Sequence, residues 1–126
     1  MHKNMKEMEQ YNDERFVVKS VYKGEQSEAI LLFLTPGQEM PSHPHERFEV
    51  VLVPRNGTGL LVVDGGKVGA RNVALIPGTL YYEPSGKTFS IKNVGLEPFQ
   101  TLITLIRVEA AAHPAQPAPE PEGNPL

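Results

Sequence analysis

The chain has 126 residues, room for one hydrophobic core and little else. With 40% hydrophobic and 21% charged residues and a formal net charge of −3, it is ordinary for a globular protein and lacks the basic excess of a nucleic-acid binder. The absence of cysteine excludes disulfides, thiolate nucleophiles and cysteine-ligated metal centres.

The opening segment, residues 1–14, is polar and rich in Met, Glu and Lys. It has no apolar stretch to act as a secretory signal. The longest apolar run of the chain, Ala29 to Leu34, is far short of the ~20 residues that cross a bilayer. The expected location is therefore the cytoplasm, and the expected partner a small molecule rather than nucleic acid or membrane. Residues 1–14 read as a turn or two of helix, or as an arm lying on a neighbouring subunit.

From residue 15 to residue 109 short apolar runs alternate with turn residues. Arg15–Tyr22, Glu28–Thr35, Phe48–Val53, Gly59–Asp64, Lys67–Ile76, Thr88–Lys92 and Phe99–Glu109 are rich in Val, Ile, Leu, Phe and Thr and read as strands. Asp64-Gly65-Gly66 is a hairpin signal, since glycine supplies the positive φ of a tight turn. Pro36-Gly37, Asn56-Gly57, Pro77-Gly78, Ser85-Gly86 and Asn93-Val94-Gly95 punctuate the rest. No helical periodicity of useful length appears, so the middle of the chain is an all-β sandwich or barrel. Residues 110–126, AAAHPAQPAPEPEGNPL, carry five prolines and almost nothing large and apolar, which predicts an extended or flexible tail.

Ala29–Leu34 and Phe99–Val108 are apolar on both alternating faces, whereas a half-solvated strand alternates cleanly. Something covers their outer face. A second copy of the chain, making a homodimer, is the simplest cover; termini folded back over the barrel are the alternative.

Chemistry concentrates in residues 37–49. His43 and His45 are two apart, so on an extended strand both imidazoles share a face, the spacing a metal wants from two neutral nitrogen ligands. Glu49 has the same parity but would lie roughly 13 Å further along a straight strand. The chain must bend between His45 and Glu49 for the three to meet, and His45-Glu46-Arg47 is polar enough to turn there.

Gly37, His43, His45 and Glu49 resemble the first motif of the cupin superfamily, which runs Gly, five residues, His, one residue, His, three or four residues, Glu. Asn72-Val73-Ala74-Leu75-Ile76-Pro77-Gly78-Thr79-Leu80-Tyr81 resembles the second motif, and Asn93–Pro98 the turn after it. The resemblance covers roughly residues 28–108. It implies a double-stranded β-helix (jelly-roll) barrel with a divalent metal, Fe(II), Mn(II), Ni(II) or Zn(II), held by His43, His45 and Glu49. Two features depart from the pattern. Tyr81 stands where a metal-binding cupin supplies its final histidine, and the glycine closing the first motif falls late, at Gly57, implying a longer loop at one rim.

The free phenol of Tyr81 has a pKa near 10, which a neighbouring divalent cation would lower. Tyr81 is thus a candidate catalytic residue, as a ligand or as a donor to a substrate oxygen. Gln38, Glu39 and Gln100 are candidates to orient the histidines. Tyr82, Glu46, Arg47, Arg55 and Arg71 read more simply as surface or packing residues, and His2 and His113 as solvated tail residues. Two functions follow from the resemblance: a metal-dependent dioxygenase, isomerase or decarboxylase acting on a small oxygen-rich molecule, or a non-catalytic cupin binding a small metabolite at a degenerate metal site.

Overall fold

Strand alternation organises the molecule into two sheets around one core. The structure, a computed structural model, describes residues 1–108, except for the side chain of His43; the expected tail and His113 lie outside the described residues. The strands are β1 (Val17–Lys23), β2 (Ser27–Leu34), β3 (Glu39–His45), β4 (Phe48–Asn56), β5 (Gly59–Val63), β6 (Arg71–Leu75), β7 (Tyr81–Glu83), β8 (Lys87–Asn93) and β9 (Phe99–Arg107). They form a five-stranded sheet in the order β1-β2-β9-β4-β7 and a four-stranded sheet in the order β3-β8-β5-β6. Every pairing within them is antiparallel. No helix among the described residues is long and apolar enough to cross a membrane.

The core lies between the sheets. Leu32, Leu34, Val50, Leu52 and Ile103 from the larger sheet meet Met40, Leu61, Val63, Leu75, Phe89 and Ile91 from the smaller. Each side chain of this size contributes roughly 1.5–3 kcal/mol when fully buried. Two rim details follow the sequence. Gly57, with φ of +79°, lies so close to the backbone of Pro98 and Phe99 that a Cβ there would meet the Pro98 carbonyl oxygen. Asn93 is buried and ties the turn after β8, donating to the carbonyls of Leu34 and Glu97 and accepting from the Gly95 N–H.

The cover expected over β2 is the chain's own N-terminal arm. Ala29, Leu31 and Phe33 alternate with the inward residues of β2 and form a second buried cluster with Val21. Met5, Met8 and Tyr11 pack on it, and the Tyr11 ring meets the Phe33 ring edge-on at 5.4 Å. Met5–Met8 is a 3-10 turn capped by the Asn4 side chain, and its three-residue period sets both methionines on one side. Asn12 latches the arm by accepting from Gln38 Nε2, and Glu9 does so by accepting from Gln100.

Three strand expectations need correction. β3 and the short β7 are additional to the expected strands, because Pro41, Pro44 and the polar residues of one and the brevity of the other hide their pattern. The strand expected over Lys67–Ile76 begins only at Arg71, since residues 64–70 form the hairpin loop between β5 and β6. Asp64 anchors that loop, accepting from the backbone and hydroxyl of Thr88 and pairing with Lys87 at 3.5 Å. The strand expected over Phe99–Glu109 ends at Arg107.

Candidate functional site

β1 and β3 each end their sheet, and they stand at the same edge of the sandwich. Between them lies a cavity of about 280 Å³, lined by Phe16 and Val18, by Met40, Pro41 and His45, and by Ile30, Phe89, Ile103 and Leu105 from its inner walls. Its mouth is open, since Val18 is 43% exposed. Every one of these lining side chains except His45 is apolar. The His45 ring lies parallel to Phe89, with centroids 4.3 Å apart and planes 8° from parallel, so packing fixes its orientation. β3 reaches this position through a register shift between Met40 and His43, which sets His43 opposite Phe89 and His45 opposite Lys87.

The other edge of the sandwich is closed. β6 ends one sheet and β7 the other, and Arg71 of β6 bridges them. One guanidinium nitrogen donates to both oxygens of Glu83 at 2.9 and 3.0 Å, and the second donates to the Tyr81 hydroxyl at 2.9 Å. That hydroxyl donates in turn to Glu83 at 2.5 Å. Glu83 is 3% exposed; it faces inward opposite Val50, as Tyr81 does opposite Leu52. The hydrogen bonds to Glu83 and Tyr81 hold the Arg71 pKa above its ordinary value. Burial raises the Tyr81 pKa, with the bond to Glu83 adding and the bond to Arg71 opposing. Each polar group here has its partner, which is the condition for a buried charge to persist.

No family model matches the sequence, and no curated protein matches it. Solved structures do. The TT1209 protein of Thermus thermophilus superposes with a TM-score of 0.76 at 24% identity, covering 85% of this chain and 97% of that one. An RmlC-like cupin protein of Desulfovibrio desulfuricans gives a TM-score of 0.72 at 23% identity, covering 84% and 95%. The fold is the cupin double-stranded β-helix. A predicted oxalate decarboxylase of Thermotoga maritima is more distant, with a TM-score of 0.57 at 23% identity over 64% of this chain and 66% of that one.

Within this cupin fold, among the described residues, Glu49 and Tyr81 lie apart from His45. The turn at Glu46-Arg47 does carry the chain across, from β3 in one sheet to β4 in the other. It does not bring Glu49 to His45. Val50 and Leu52 point into the core, so Glu49 and Val51 lie on the opposite, outer face of β4. Glu49 sits there opposite Ile106, and the Tyr82 pKa is raised by burial and then by the neighbouring Glu49 carboxylate. Val50 takes the inward place, and Glu49 lies on the outer face of β4, away from the cavity that His45 lines. Tyr81 is engaged by a guanidinium, which opposes a second cation beside it. Among the described residues, no three His, Asp or Glu side chains converge as a metal-binding group.

The expected orienting residues serve the scaffold. Gln38 accepts from the Thr35 N–H and donates to the Asn12 carbonyl. Gln100 accepts from Arg55 and donates to Asn56 and Glu9. Glu39 is exposed opposite Lys92. Sequence reasoning overlooked Glu83, Phe16 and Phe89. A signal for Glu83 existed: it shares parity with Tyr81 in a Tyr-Tyr-Glu run and, once buried, needs a cation, which Arg71 supplies from the rim.

Proposed function

We propose that this cupin barrel is a binding module for a small, largely apolar molecule, taken up between β1 and β3 with His45 as its polar contact. The observation carrying this reading is the cavity itself, preformed and apolar with one imidazole in its wall, the usual character of a small-molecule site. An apolar cavity of about 150 Å³ accommodates benzene, so 280 Å³ has room for a ring with a short side chain. Burying a ring removes about 150–250 Å² from water. At about 25 cal/mol per Å² that is worth roughly 4–6 kcal/mol. The corresponding Kd, before polar contacts and ordering costs, runs from about millimolar to tens of micromolar.

Those affinities set the test. Small aromatic probes such as indole and benzyl alcohol, supplied at millimolar concentration, are expected to raise the Tm of the wild-type protein and not that of Val18→Trp, which plugs the mouth. A panel that leaves the wild-type Tm unmoved sinks the reading. Near-stoichiometric divalent metal in the purified protein, lost in both His45→Ala and Glu49→Ala, would replace it with the metal-dependent enzyme.

A further inference from the structure

His45 and Leu105 border two spaces. On one side is the apolar cavity between β1 and β3; on the other the same two residues join Pro44, Glu46, Arg47 and Phe48 around a second space of about 390 Å³. The two differ in chemistry. The inner one offers only aliphatic and aromatic surface beside the imidazole, whereas the outer one adds a guanidinium and a carboxylate from the β3–β4 turn.

The lining of the outer space carries one charge of each sign, and a second guanidinium stands over one of its rings. Among its described lining residues Glu46 is the single carboxylate, set against Arg47. Phe48, which also lines it, carries the Arg107 guanidinium over its ring at 5.3 Å from the centroid. Arg107 reaches that ring because it is the register partner of Phe48 across the β4–β9 pair. A planar guanidinium is the side chain best matched to a carboxylate, which it engages through two parallel hydrogen bonds.

We propose that the ligand is an amphipathic monocarboxylate whose aryl or alkyl body fills the inner cavity and whose carboxylate passes His45 to reach Arg47 in the outer space. This rests on the cavity reading above and adds the head group to it. The shared border sets the geometry of this pose: the body lies in the inner cavity, His45 and Leu105 flank the junction, and the head group lies beside Arg47. The apolar body supplies affinity through burial, and the head group supplies discrimination. His45 stands at the junction, where its polar edge meets the boundary between apolar body and charged head.

The test uses 3-phenylpropionate and its neutral counterpart 3-phenylpropan-1-ol, titrated calorimetrically into the full-length protein at neutral pH. The acid is expected to bind about tenfold or more tightly than the alcohol, the scale of a charge-assisted hydrogen bond. Arg47→Ala should abolish that preference by weakening the acid about tenfold while leaving the alcohol within about twofold. Glu46→Gln should tighten the acid severalfold, and added salt should weaken the acid alone. Two surface-turn variants with opposite expected effects separate charge recognition from a general loss of folding. Equal affinities for acid and alcohol, or a preference for the acid that survives Arg47→Ala, overturn the head-group assignment and leave the cavity reading standing. No binding of either compound by the wild type at millimolar concentration overturns both.

Discussion

The two edges of this sandwich solve the same problem in opposite ways. Where β6 meets β7, the gap between sheets is bridged by Arg71, Tyr81 and Glu83, each polar atom answered by another. Where β1 meets β3, apolar side chains line a cavity instead. A charged clamp needs only a few well-placed atoms, and it tolerates no loss because a buried carboxylate stripped of its partner is costly. An apolar edge is forgiving and leaves space that another molecule can fill. The charged contacts are therefore concentrated at the closed edge, and the proposed binding belongs to the open one.

The largest test of that contrast is Arg71→Ala, which leaves Glu83 buried without its cation. Removing one partner of a fully buried pair costs about 3–5 kcal/mol. The Arg71 side chain is 48% exposed and water replaces part of the loss, so we expect a cost below that range but the largest of the changes compared, read by chemical denaturation. Arg71→Lys should recover only part of this, since one ammonium nitrogen cannot serve both Glu83 and the Tyr81 hydroxyl as the two guanidinium nitrogens do. A loss no larger than that of an ordinary surface substitution would dissolve the distinction between the edges.

Tyr81→Phe should cost about 1 kcal/mol, one hydrogen bond, and it should alter the alkaline limb. Burial and the bond to Glu83 hold the folded Tyr81 pKa above the ordinary phenol value. The unfolded chain therefore gives up this proton first, and stability from the neutral phenol is complete below about pH 10 and declines as pH rises through the folded pKa. Unfolding midpoints measured across that range should fall less steeply in Tyr81→Phe than in the wild type. Parallel curves would place the alkaline loss elsewhere, with Tyr82 the first alternative because its pKa is raised too.

The smallest effect belongs to the open edge. Val18→Ala removes two methyl groups from a residue that is 43% exposed, and the loss should stay below about 1 kcal/mol. The same change widens the cavity mouth without touching Arg71, Tyr81 or Glu83. A loss equal to that of Arg71→Ala would show that β1 braces the sandwich as firmly as the clamp does.

The architecture was largely legible in the amino-acid order. Runs of β-branched and aromatic residues separated by Pro-Gly, Asn-Gly and Asp-Gly breaks lead to an all-β chain, and the spacing of Gly37, His43 and His45 resembles a cupin. The doubly apolar β2 announced a cover on its outer face, and alternation alone demanded one. Which segment supplies the cover is not written in β2, because Met5, Met8 and Tyr11 look like any polar arm until folding sets them on one side.

The same limit governs the site. Spacing determined that His43 and His45 share a strand and that the chain turns after them, since these are properties of neighbouring residues. Whether Glu49 or Val50 enters the barrel depends on the phase in which β4 leaves the turn, and a slip of one residue exchanges the two faces. The pairing of Val50 with Glu83 and Leu105 sets that phase, through contacts far apart in the chain. The partnership of Arg71 with Glu83, the stack of His45 on Phe89 and the cavity between β1 and β3 are likewise products of packing one sheet on another. Local sequence sets the period of each strand; only tertiary contacts set its phase, and phase decides which side chains meet.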